Sequence, residues 1–360
     1  MKERKYGIDL LRMILMLMVV ILHVLGKGGV LNATQMRTAN YYTAWLLEIG
    51  CYCAVNCYAL ITGYVYYHSK YRISSMLLIG IQALFYSTII YILSWIISPA
   101  SFSPGLVMNA LFPVSRDTHW YLSSYAGLFL LIPVCNAAID AFSLRQTKYF
   151  LLLSFIGFSL VPTFLMRDPF KLNNGYSTLW LAYMYLIGGF VHKFHFDAFI
   201  STKKAFLFFA VCIAMTAIFK FTVEEITIFI FGDEKFSKLL MGYVSPTILF
   251  AGLSLFLAFL HINPKPALCR FIGILSPAAF GVYLIHCHPV IFELFEDRFT
   301  FLNDLHQLFM PLGVLVVALG IYLPCLMIDY LRLKIFQKLS VKAFLNRLEN
   351  KFLSEDFAKK

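Results

Sequence analysis

The sequence predicts an all-α, polytopic membrane protein with about ten transmembrane helices and both termini in the cytoplasm. Three observations carry this. Of 360 residues, 60% are apolar and only 14% charged, against roughly one-half and one-quarter in a soluble domain. Apolar runs of about 18 residues or more recur along the chain, each as long as a helix needs to cross the hydrocarbon. Lys and Arg also alternate from loop to loop. With the N-terminus inside, twenty of the 30 fall in the head, the inside loops and the tail, nine fall outside, and Arg12 lies within the first run.

The basic head Lys2, Arg4 and Lys5 precedes the run 8–25. Its apolar core is too long for a signal peptide and lacks a small-x-small cleavage site, so it stays as the first helix. Further runs occupy 45–66, 73–97, 120–139, 148–166, 177–192, 204–221, 242–261, 272–292 and 308–330. The sixth is short and contains Gly188 and Gly189, and the apolar patch 222–231 is ambiguous; either shifts the count by one. The acidic segments Glu224–Glu234 and Glu293–Asp304 fall outside. From Leu331 onward, Ile335, Leu339, Val341, Leu345, Leu348 and Phe352 recur at helical spacing between Lys338, Lys342, Arg347 and Lys351. This predicts a membrane domain over 1–330 and a basic amphipathic helix over 331–360 that lies on the anionic inner leaflet.

The formal charge of +11 does not point to nucleic acid, because the bases are dispersed between apolar runs and in the tail. The eight cysteines lie in or beside apolar runs with no C-x-x-C pair, which predicts reduced, packed thiols and no cysteine metal or redox site.

Ionisable residues inside a membrane are costly and mark function. Arg12 and His23 share the first run; eleven steps of 100° end about 20° beyond three full turns, so both lie on one helix face about 16 Å apart. The plain alternatives are an Arg12 that snorkels beside Asp9 and a His23 that is simply hydrogen-bonded near the outer interface. A neutral imidazole suits a general base, and an always-charged guanidinium suits phosphate or carbonyl oxygens.

The stretch from Gly7 to Arg12, followed after ten residues by His23, resembles the first helix of membrane-bound acyltransferase family 3. Three further segments resemble it in order. They are Tyr58–Tyr64, where Thr62 stands for the family's more usual serine, the His119-Trp120-Tyr121-Leu122 helix reaching Pro133, and Ser276 with Gly281-Val282-Tyr283-Leu284-Ile285-His286. Nothing resembles the extracellular hydrolase-like domain fused to some members.

The resemblance implies O-acyl transfer, with acetyl as the expected group, from cytoplasmic acyl-coenzyme A to a hydroxyl of a glycan or lipid-linked saccharide, by a multi-pass plasma-membrane enzyme. Arg12 and His23 are the expected catalytic pair. Lys70 and Arg72 are candidates for the donor's phosphates, with positive-inside anchoring as the alternative. Glu48, Thr62, His119, Trp120, Tyr283 and His286 are candidates to line the substrate site, Glu48 by orienting His23 and the aromatic residues by stacking on sugar. Three histidines at similar depth, His23, His286 and His288, imitate a metal site, but no carboxylate accompanies them and no metal is expected. The competing functions are a transporter or flippase of a lipid-linked sugar or small acid, for which paired broken helices are lacking, and a glycan polymerase, for which the outside loops are short. Neither the acceptor's identity nor the oligomeric state is legible.

Reporter fusions at Lys70 and Gly105 are expected to report opposite sides of the membrane; agreement between them would show the second and third helices to be misassigned.

Overall fold

A computed structural model describes residues 4–101 and 103–357, with side chains described to 351 except at Ser101. Lys2 of the basic head, the Phe352 side chain and residues 358–360 of the tail lie outside the described residues. The described chain is helical without strands, and nine helices are long and apolar enough to cross a membrane.

The first is α1 (Tyr6–Leu25), and the second span is broken into α2 (Ala39–Cys51) and α3 (Ala54–Tyr66). Helix α4 follows at Ile73–Ile97, then α5 at Trp120–Ala141. The fifth span starts as α6 (Leu144–Phe155) and passes through a π-helical turn at Ile156–Leu160 into Val161–Phe164. The sixth predicted run is α7 (Thr178–Phe194), 17 residues long and just short of the other spans. Helix α8 covers Thr202–Phe231, so the ambiguous patch 222–231 is its last turns. Helices α9 (Pro246–Leu260), α10 (Pro266–Leu275) and α11 (Ala279–His286) precede α12 (Met310–Lys338) and α13 (Val341–Phe357).

Burial divides the helices into an inner and an outer set. The spans built on α1, α2–α3, α9 and α10–α11 are buried over 56–78% of their apolar stretch, whereas those on α4, α5, α6, α8 and α12 are buried over only 22–33% and turn their side chains outward. Short α7 belongs inside, with every residue from Trp180 to Val191 except Leu186 buried. Hydrocarbon provides no hydrophobic drive for one helix to join another, so close packing must hold them. At the α3–α7 crossing, a Cβ on Gly63 would meet the Tyr185 carbonyl at 1.9 Å and one on Gly188 would meet the Leu60 carbonyl at 2.1 Å. Two glycines thus let the backbones touch.

Polar residues inside the bundle form closed networks. Asp329 of α12 accepts from Gln82 (3.0 Å), Tyr86 (2.7 Å) and both Arg332 nitrogens (3.0 and 2.7 Å). Lys220 of α8, fully buried, donates to Glu224 and Tyr41 and sits 4.2 Å from the Trp45 ring centre.

The helix ends show which termini share a face. Lys5 meets Tyr64 at the end of α3, Tyr67 meets Asp140 near the end of α5, and Ser74 at the start of α4 bonds to Asn346 and Glu349 of α13. The start of α1 and the tail helix therefore lie at one end of the bundle. The tail differs from a helix lying freely on lipid: Leu345 is buried, and Glu349 accepts the Ile73 amide and the Ser74 hydroxyl. The last span also runs on to Lys338, past the expected boundary at 330.

Gly63→Val is expected to abolish folded protein, since overpacking costs about 1–3 kcal/mol even where side chains can yield and here the obstacle is backbone. Gly80→Ala in α4, where nothing lies within 4 Å, should be neutral or stabilising by up to about 1 kcal/mol. Monodisperse yield and thermal unfolding in detergent check both.

Candidate functional site

Two cavities open along α1, and a third lies beyond its C-terminal end. The first, about 720 Å³, lies at the face carrying the termini and is lined by Arg4, Lys5, Asp9, Arg12, Tyr64 and His192 among others. Buried Asp9 anchors it. Its carboxylate accepts from Arg4 Nε at 2.6 Å and from Arg12 Nη1 at 2.9 Å, while about a third of the Arg12 side chain stays exposed. Only one Arg12 nitrogen is committed to Asp9, so the planar fork keeps donors for an anionic or carbonyl ligand. Lys5 donates to the Tyr64 hydroxyl at 2.6 Å. Lys70 and Arg72 are exposed on the loop beyond Ser69; Ser69 lines the cavity, and its bases come instead from the start of α1 and the end of α7.

Farther along the same helix face, a slot of about 50 Å³ is lined by Met16, Val19, His23, Tyr58, Tyr121 and Tyr283 among others. Tyr58 donates to the Arg12 carbonyl at 2.6 Å and so ties the two cavities together. His23 sits three turns from Arg12, as its spacing requires, and its Nδ1 lies 3.0 Å from His286 Nε2. His286 Nδ1 in turn lies 2.6 Å from the Val282 carbonyl.

That carbonyl can only accept, which fixes the protons along the chain of contacts. A neutral His286 carries its proton on Nδ1, its Nε2 accepts, and His23 donates from Nδ1. The lone pair of His23 is then on Nε2. The tilt of the pair is held by Phe292, edge-on to His23 at 4.9 Å. The outer end of α1 is stapled to the chain following His286: Lys27 bonds to Glu296 (3.0 Å) and Glu293 (3.4 Å), and its carbonyl accepts the Asp297 amide. The Glu296 hydrogen bond raises the Lys27 pKa.

Cys287 is the residue that sequence reasoning missed. Its Sγ lies 3.3 Å from His286 Nε2 and 3.5 Å from His23 Nδ1, so one of the eight thiols does have basic partners. His288, expected at the same depth, turns away and packs on Tyr91 at 4.5 Å and His119 at 6.1 Å. His23, His286 and Cys287 offer three ligand atoms within 4.8 Å of one another. The 3.0 Å nitrogen separation is that of a direct hydrogen bond, shorter than the about 3.3 Å between two nitrogens on a tetrahedral zinc.

The other predicted site residues divide. Tyr283 and Trp120 line the slot, and the Tyr283 hydroxyl accepts the Tyr121 amide at 3.3 Å. Thr62 donates within its own helix to the Tyr58 carbonyl at 2.8 Å. His119 is buried, 3.2 Å from the Leu284 carbonyl, and supports the α11 end of the site without lining the slot. Glu48 is buried but lines a third cavity, about 670 Å³, at the opposite end of the bundle from the termini. Between that cavity and the slot stand Trp120, Tyr176 and Tyr243, with ring centres 4.4 Å (Trp120–Tyr176) and 4.9 Å (Tyr176–Tyr243) apart.

A family model described as an acyltransferase domain matches residues 5–329. No curated protein and no solved structure matches the chain.

Proposed function

Because the chain belongs to the membrane-bound acyltransferases of family 3, its match running from the start of α1 into α12, we propose that it moves an acyl group from cytoplasmic acyl-coenzyme A to a sugar hydroxyl at the outer face of the plasma membrane. The observation that carries this reading is the hydrogen bond between His23 and His286 on the same helix face as Arg12. The positive-inside bias assigns the face with the termini to the cytoplasm. There Arg12, Arg4 and Lys5 suit the donor's phosphates, and the thioester reaches toward the slot between Tyr58 and Tyr121. The slot's small volume favours a short acyl group, acetyl first.

His23 Nε2 takes the proton of the acceptor hydroxyl as its oxygen attacks the thioester carbonyl. The carbon–oxygen bond forms, the carbon–sulfur bond breaks, and the proton passes from His23 to the departing thiolate, so acyl-CoA and alcohol become ester and free coenzyme A. His286 acts through His23: by accepting from Nδ1 it keeps Nε2 unprotonated and turned to the reactants.

Three variants test this with acetyl-CoA and saccharide in nanodiscs, folded protein being verified by thermal unfolding. His23→Ala should lower kcat at least about a hundredfold. His286→Ala should lower kcat while leaving the donor KM near the wild-type value. Arg12→Lys should fail to replace the guanidinium and raise the donor KM, because lysine lacks the planar fork. Full transfer by well-inserted Arg12→Lys and His23→Gln proteins would leave the pair structural and favour the transport reading.

A further inference from the structure

The third cavity gathers unpaired polar groups. Of the buried side-chain atoms without a partner among the described residues, three belong to residues that line it: Trp45 Nε1 and Glu48 Oε2 on α2, and Thr163 Oγ1 at the end of the fifth span. Glu48 and Thr163 are 8% and 3% exposed. A buried unpaired carboxylate oxygen or hydroxyl costs on the order of 1–3 kcal/mol, and here two such costs are spent on one wall. Both elements are locally irregular. Helix α2 stops at Cys51, one turn after Glu48, and a π-helical turn precedes Thr163; such turns recur at functional sites.

Besides the exposed bases Arg167 and Lys238, the lining offers groups that suit one ligand chemistry. Trp45, Tyr52 and Tyr176 offer aromatic faces, and Asn174 offers an amide from the exposed loop over the opening. That loop is held in shape by Asp168, which accepts the amides of Leu172 and Asn173 at 2.7 Å each, with Asn173 and Asn174 both at positive φ. Flat apolar faces beside buried hydroxyl-binding groups suit a pyranose ring, whose faces are C–H and whose edge is hydroxyl.

We infer that this cavity is the saccharide-binding site, in which Glu48 accepts and Thr163 exchanges hydrogen bonds with ring hydroxyls while the aromatic residues hold its faces. The inference rests on the acyl-transfer reading and adds where and by what chemistry the acceptor is held. Trp120, Tyr176 and Tyr243 separate the bound sugar from His23, so the hydroxyl that reaches the slot is the one at the inner end of the ring. Glu48 therefore serves the acceptor and does not orient His23.

The test uses purified full-length protein in nanodiscs, acetyl-CoA, and a panel of methyl glycosides of glucose, galactose and rhamnose with their short oligomers. Glu48→Gln and Thr163→Val are each expected to raise the saccharide KM tenfold or more while the acetyl-CoA KM stays within twofold. Asn174→Gly, on an exposed loop at a positive φ that glycine adopts freely, is expected to raise it about threefold, which keeps the test decisive if a buried variant unfolds. Unchanged saccharide KM in the folded variants overturns the site. If wild-type protein acetylates no member of the panel, quenching of tryptophan fluorescence by the same glycosides decides the site by itself. Binding that weakens tenfold in Glu48→Gln supports the site even though acyl transfer has failed, and absence of binding by every glycoside overturns it.

Discussion

Hydrocarbon offers no hydrogen bonds, so a polar group drawn into this bundle is costly unless another part of the chain satisfies it. Much of the architecture follows. Asp329 gathers Gln82, Tyr86 and Arg332 and thereby ties α4 to α12. Asn56 receives the Trp180 indole at 2.9 Å and donates to the Tyr243 carbonyl at 2.9 Å, linking α3, α7 and the segment before α9. Lys220 and Glu224 close with Tyr41 on a helix whose other sides face outward. These networks fix helix depth and rotation, which apolar contacts with lipid cannot do.

The site depends on the same constraint in a different form. Among the described residues His23 is met by His286, and behind that by the Val282 main-chain carbonyl of α11. With both rings neutral, such a series would aim the His23 lone pair without placing a charge in the bilayer. Arg12 is charged, and its charge is met by Asp9 one turn earlier, close to the bundle's end. The costly ion pair stays where water reaches it, and the neutral pair sits deeper.

Much of this was legible in the sequence. Nine spans fall where apolar runs predict them, and the helical period alone places Arg12 and His23 on one face. What was not legible depends on contacts between distant segments. Cys287 and His286 meet His23 across more than 260 residues, and the similar depth of His286 and His288 does not reveal that the two rings face different neighbours. Lys220 looks like a base at the outer end of its apolar run, yet it is buried within an unbroken α8. The bases of the cavity beside Arg12 come from Arg4, Lys5 and His192, residues that look like ordinary flanking charges until α1 and α7 are brought together.

The contact between Glu349 and the start of α4 has a consequence for how the protein is made. The amide of Ile73 and the hydroxyl of Ser74 receive their acceptor from a residue 276 and 275 positions later. During synthesis, α4 is made long before Glu349. The contact that joins the start of α4 to α13 therefore forms only after α13 has been made.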